Sequence, residues 1–216
     1  MSMDRMIRQR GIAKIGCLIA GGAVLLVGLI LVFMFAGRYN SLVSLQEKST
    51  ASWSEIDNQY KRRFDLIPQL VATVKGVADF EKSTLEAVTE ARASVGRAQL
   101  PPGLPSDPAQ LQNYIQAQQG LGASLGRMFV VVERYPELKA NQNFLSLQDQ
   151  LEGTENRIAV ARRDYIDSVR AFNTYLRRFP TNLVAGIYGF EKLPQMQFDE
   201  AERETPKIEF DFGNDP

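Results

Sequence analysis

Chemistry in this chain has three polar clusters and one alternating segment to draw on. Lys61-Arg62-Arg63, followed by Asp65, sets three cations ahead of a carboxylate. Such a group can dock an anion or a partner protein. It can equally be the solvated end of a helix, where positive charge suits the C-terminus and Asp65 caps the next helix. The solvated end is the stronger reading, and Lys61, Arg62 and Arg63 are the candidate partner-binding residues of the functional one. Glu81 falls where apolar residues recur at helical spacing. A buried, unpaired carboxylate costs on the order of several kcal/mol, so it needs water, a proton or a cation. Arg157 or Arg163 is the candidate partner, and a Glu81–Arg157 pair would set helix register rather than do acid–base work. Glu152-Gly153-Thr154-Glu155-Asn156-Arg157 places two carboxylates and an amide within one helical turn, a donor set for a hard cation. More often such a run is a solvated face, with Thr154 small enough for a packed seam and Gly153 permitting close helix contact.

The fourth candidate, Lys207-Ile208-Glu209-Phe210-Asp211-Phe212, alternates apolar and charged residues as a strand does, with no other strand in the chain to pair with. Ile208, Phe210 and Phe212 would then add to the sheet edge of a partner protein. The equal alternative is that the segment lies along the bundle or stays disordered.

Other chemistries are excluded by composition. The chain has no histidine and one cysteine, Cys17, which lies in an apolar run. The rest of the chain cannot build a His/Cys zinc site, a Ser-His-Asp or Cys-His pair, a disulfide or a redox dithiol. Lys and Arg together number 25 and Asp and Glu 25, which argues against the basic stripe of a nucleic-acid binder. No cofactor is implied.

These residues must be positioned by long helices. Phe144, Leu147, Leu151, Thr154, Ile158, Ala161, Tyr165, Ser168, Phe172, Tyr175 and Phe179 step by three and four without interruption. Ile67 to Ala98 does the same through Leu70, Val74, Val77, Glu81, Thr84, Val88, Ala91 and Val95. So does Leu111 to Tyr135, through Tyr114, Gln118, Leu121, Leu125, Met128 and Val132. That periodicity is the seam of an antiparallel bundle, and it predicts that Tyr165, Phe172, Tyr175 and Phe179 are core. Asp65-Leu66-Ile67-Pro68 reads as a helix start, Asp107-Pro108 as another, Tyr135-Pro136 as a corner and Phe179-Pro180 as a stop. Gly120, Gly122 and Gly126 make sense if their helix packs closely on a neighbour.

Ile15 to Gly37 is an uncharged run bracketed by Lys14 and Arg38. As a helix it covers roughly 35 Å, enough to cross a hydrocarbon core of about 30 Å. Its length and its exit, with Met34 where a small residue should be, favour an anchor over a cleaved signal peptide. Arg5, Arg8, Arg10 and Lys14 precede it, against Arg38 and Lys48 soon after, which predicts a cytoplasmic N-terminus and a body outside the cytoplasm. The expected organisation is a basic segment (1–14), a transmembrane helix (15–37), a four-helix bundle (38–180) and a C-terminal tail (181–216). The fold class is all-α: the span continues into an elongated antiparallel bundle, with the strip 182–190 folded over one end and a mostly flexible acidic tail from Glu191.

Tyr39-Asn40-Ser41-Leu42-Val43, Trp53-Ser54-Glu55-Ile56-Asp57 and Lys61 to Val71 resemble the signature of the LemA family, as does Val74-Lys75-Gly76. Glu133 to Ala140, Asn143-Phe144, Leu151 to Ala159 and Phe179-Pro180 with Asn182 extend the likeness to about Phe190. The resemblance implies a single-pass bacterial membrane protein with a long helical bundle. It implies no settled biochemical activity: some members are associated with building magnetosome membranes, others are known mainly as membrane antigens. Together the readings point to a membrane-tethered, non-enzymatic scaffold that recruits protein partners. Membrane shaping by self-associated bundles is the alternative, and an enzyme running on carboxylates, Lys and Arg is a more distant one.

Overall fold

A computed structural model describes residues 3–77 and 80–196 of the chain. It comprises α1 (Met3–Lys75), α2 (Lys82–Arg97), α3 (Pro108–Val132), the single turn α4 (Pro136–Lys139), α5 (Gln142–Leu176) and α6 (Thr181–Tyr188). There is no strand among the described residues. The Ile208, Phe210 and Phe212 segment lies outside them.

α1 is 73 residues long and unbroken. Apart from half-buried Phe35, the side chains described between Gly21 and Gly37 are exposed, as befits a helix whose neighbours there are lipid tails. Beyond Arg38 the same helix enters the bundle. α5 runs antiparallel to it, shown by contacts at descending and ascending residue numbers: Arg63 with Glu155, Tyr60 with Arg162, Trp53 with Tyr165, Arg38 with Tyr175. α3 runs parallel to α1, with Tyr114 beside Trp53 and Tyr60, and Gln118 beside Arg63. α2 comes down between them, placing Arg92 against Phe64. The result is an up-down-up-down four-helix bundle standing on a membrane span, with the α1–α5 pair forming the neck nearest the bilayer.

One cap, Asp107, is where its residue type placed it, and a second, Asn141, is found in the structure. Asp107 accepts hydrogen bonds from the Ala109 and Gln110 amides, with Pro108 in the first turn, and Asn141 caps α5 through the Asn143 and Phe144 amides. Each satisfies amides that the helix start leaves without an internal partner.

The expected helix start at Asp65–Pro68 does not occur. α1 passes through Pro68 and stops at Lys75, so the chain turns at Gly76 and Val77. Proline inside a helix removes a donor and leaves the carbonyl four residues earlier without its bond. Here that carbonyl is Phe64 O, and the Arg92 Nε of α2 donates to it at 3.2 Å, its guanidinium 3.7 Å from the centre of the Phe64 ring. A neighbouring helix restores what the proline takes away.

Of the tail expected to be mostly flexible, only its first residues, through Met196, are described, and the rest lies outside the described residues. Those first residues are held to the bundle: Asn173 exchanges two hydrogen bonds of 2.9 Å with the backbone of Leu193. Tyr165 Oη donates to Pro194 O, and Met196 is buried in the main core. The glycines differ too. A Cβ on Gly120, Gly126 or Gly153 would meet nothing within 4 Å, so close packing does not explain them, whereas one on Gly122 would meet the Arg63 guanidinium at 3.6 Å. Gly153→Ala is therefore expected to stabilise α5 by about 0.5–1 kcal/mol, measured as a shift in the urea unfolding midpoint.

Candidate functional site

Arg63 is 2% exposed, among the largest fully buried side chains described in the protein. Stepping three and four along α1 from Trp53 gives Ile56, Tyr60, Arg63, Ile67, Leu70 and Val74, all buried. Arg63 thus takes a seam position, not a place in a solvated basic cluster. Its Nη1 makes an ion pair with Glu155 of α5 at 2.7 Å, and its Nη2 donates to both the backbone and side-chain oxygens of Gln118 on α3. The guanidinium lies 5.3 Å from the centre of the Tyr60 ring. One side chain therefore joins three helices, and Glu155, 53% exposed, carries the charge balance out to solvent.

Lys61 and Arg62 remain exposed. Lys61 lies on the rim of a cleft of about 390 Å³ between α1, α3 and the Gln99–Gly103 linker. Trp53, Tyr60, Phe64 and Tyr114 supply its aromatic lining, and Asp57 and Asp65 its other charged groups. The Tyr60 and Tyr114 rings meet edge to face at 5.6 Å, and Arg162 Nε donates to Tyr60 Oη at 3.0 Å. Burial pushes the Tyr114 phenol up to about 12, with the Gln118 hydrogen bond and the Arg63 charge pulling the other way. Burial raises Tyr165 as well.

The sign of that effect is testable. The folded state favours neutral Tyr114, so its contribution is complete below the ordinary phenol value of 10.0 and is lost as pH climbs from there to about 12. Tertiary structure, followed by near-ultraviolet circular dichroism, is expected to weaken across that window. The Tyr114→Phe variant should hold out to higher pH.

Glu81 does not pair with Arg157. It sits at the N-cap of α2, exposed, and forms its ion pair with Arg134 near the end of α3, at 2.9 Å. The break after Lys75 lifts it off the seam, which is why the core has no buried carboxylate there to match. Arg157 is exposed on α5. Of the Glu152–Arg157 run, the structure uses Glu155 for Arg63, while Glu152 accepts a hydrogen bond from Gln148. The described residues contain no cluster of three metal-ligating groups.

The family model of the LemA family matches residues 52–210, most of the chain. The chain belongs to the LemA family. Among curated proteins, it is 27% identical to Magnetosome protein MamQ 1 of Paramagnetospirillum magneticum over 187 residues, which is 79% of this chain and 68% of that protein. It is also 27% identical to Protein LemA of Metamycoplasma hominis, over 83% of this chain and 78% of that one. Magnetosome protein MamQ of Magnetospirillum gryphiswaldense is 24% identical, over 86% and 74%. Membrane association of this LemA family chain accords with those likenesses and with the exposed apolar stretch of α1.

Proposed function

We propose that this chain is a non-enzymatic, membrane-anchored scaffold that recruits or organises partner proteins at the bacterial membrane. The observation that carries the reading is the continuity of α1: the same helix crosses the bilayer and forms a stave of the bundle. From Arg38 to Lys75 that stave reaches roughly 55 Å. A rigid post of this kind holds its binding faces at a set distance from the lipid. Arg63, bonded to two other helices, is enclosed in the packing, which leaves the surface for contact. We assign partner binding to the face around Lys61 and Arg62, place the 38–180 bundle outside the cytoplasm, and keep Ile208, Phe210 and Phe212 as a second contact by strand addition.

Photo-crosslinking groups placed in the full-length protein near Lys61 and Arg62 in living cells test this directly. The expected result is a discrete protein adduct that is lost in the Lys61→Glu/Arg62→Glu variant. Absence of adducts from every bundle face, together with a turnover that falls when Glu152 and Glu155 are replaced, would overturn it. A second reading, beside relatives named as magnetosome proteins, is membrane shaping by self-associated bundles. Adducts composed only of this chain, with ordered arrays on liposomes, are its expected signature.

A further inference from the structure

The membrane-proximal end of the bundle carries an apolar patch that its own packing leaves uncovered. α5 ends at Leu176 and the chain folds back as α6, with Val184 and Ala185 turned onto Leu42 and Phe172. Phe179, expected from its spacing to be core, is instead 81% exposed. Leu183, Ile187 and Tyr188 are 49%, 70% and 60% exposed. No residue of α6 is charged, so the helix has no face of the kind normally turned to water. A single exposed apolar side chain needs no explanation, but a cluster of large ones does.

The position of the patch identifies what covers it. Phe35 lies inside the uncharged run of α1, yet it packs on the same small cluster as Leu42, Val184 and Ala185. Tyr39, just past the end of that run, has its ring 4.7 Å from that of Tyr188 and 5.8 Å from that of Phe190. α6 therefore lies beside α1 at the level where the span leaves the hydrocarbon. Arg177 and Arg178 are exposed next to it, and Arg38 donates to Tyr175 Oη at 3.3 Å. Tyrosines at the boundary, an apolar helix face and nearby arginines are what lipid headgroups and upper acyl chains accommodate.

We infer that α6 is a second membrane contact: an interfacial helix whose Leu183 and Ile187, with Phe179 just ahead of it, enter the headgroup–acyl boundary of the bilayer that α1 crosses, with Arg177 and Arg178 at the lipid phosphates. Attachment at two points fixes the tilt and rotation of the post in the membrane, which a single rigid span leaves unset. The contact is with lipid and requires no protein partner.

The test uses the full-length protein with Cys17→Ser, reconstituted into phospholipid vesicles containing anionic lipid. Single cysteines replacing Ile187, Val160 or Val24 carry an environment-sensitive fluorophore. Val160 is exposed on α5 and Val24 is exposed within the span. Quenching by lipid-borne nitroxides is expected to be several-fold stronger at Ile187 than at Val160, and to fall to the Val160 level in a Phe179→Glu/Leu183→Glu variant of unchanged helicity. Strong quenching at Val24 with only the Val160 level at Ile187 would overturn the inference. So would an Ile187 label shielded from aqueous and lipid quenchers alike, which would mean that protein covers the patch. Quenching at Ile187 that survives the double substitution would also overturn the assignment to these residues.

Discussion

Arg63→Ala is expected to destabilise the bundle by about 3–5 kcal/mol, the range for breaking a buried charged network. The substitution empties a fully buried seam position and removes the donors that reach Gln118 and Glu155. Glu155→Ala is expected to cost much less, roughly 1 kcal/mol, because Glu155 is half exposed and water can take its place beside the guanidinium. Arg63→Lys should fall nearer to alanine than to wild type, since an ammonium cannot present a planar fork to Glu155 and Gln118 together. Urea unfolding of the full-length protein in detergent, followed by helicity, ranks the three variants. Equal losses for Arg63→Ala and Glu155→Ala would mean that the ion pair, and not the buried three-helix junction, provides the stability.

Pro68→Ala is expected to do the opposite and stabilise, by about 1–3 kcal/mol, because an interior proline costs about 3 kcal/mol or more in lost bonding and ring clash. Pro68 is exposed, so little packing is lost with its ring. The informative measurement is the cycle with Arg92. In the wild type, Arg92→Met leaves Phe64 O without the donor that replaces the proline's missing amide, at a cost of about 1–3 kcal/mol. In the Pro68→Ala background residue 68 regains its amide, and the same Arg92 substitution should cost several-fold less. Additive effects would show that Arg92 acts through its stacking on Phe64 alone.

Those two sites also explain what could and could not be read in advance. The seams of α3 and α5 were legible because three–four spacing reports burial directly: Leu111 to Val132 and Phe144 to Phe172 are buried as the spacing predicts. The first turn of the bundle was not legible. Asp65-Leu66-Ile67-Pro68 has the composition of a helix start, and the residue that lets α1 continue, Arg92, is distant in sequence and visible only once α2 is packed. That one misplaced break hid two more features. It cut the seam between Arg63 and Ile67, and the place of Arg63 between Tyr60 and Ile67 becomes evident only when the stepping is carried through. It also left Glu81 on a seam it does not occupy, and so suggested Arg157 as a partner when Arg134 is nearer. Phe179 failed for a different reason. Spacing describes a helix only while the helix lasts, and α5 ends at Leu176.

The central claim is mechanical: no hinge separates the membrane span from the bundle. Spin labels on Val24→Cys and Ser54→Cys, in a Cys17→Ser protein held in lipid nanodiscs, measure it by pulsed dipolar spectroscopy. A continuous helix separates these positions by about 45 Å, at a rise of ~1.5 Å per residue. A narrow distribution near that distance is the predicted result. A broad distribution, or one centred well short of it, would place a joint at the membrane surface and contradict the account.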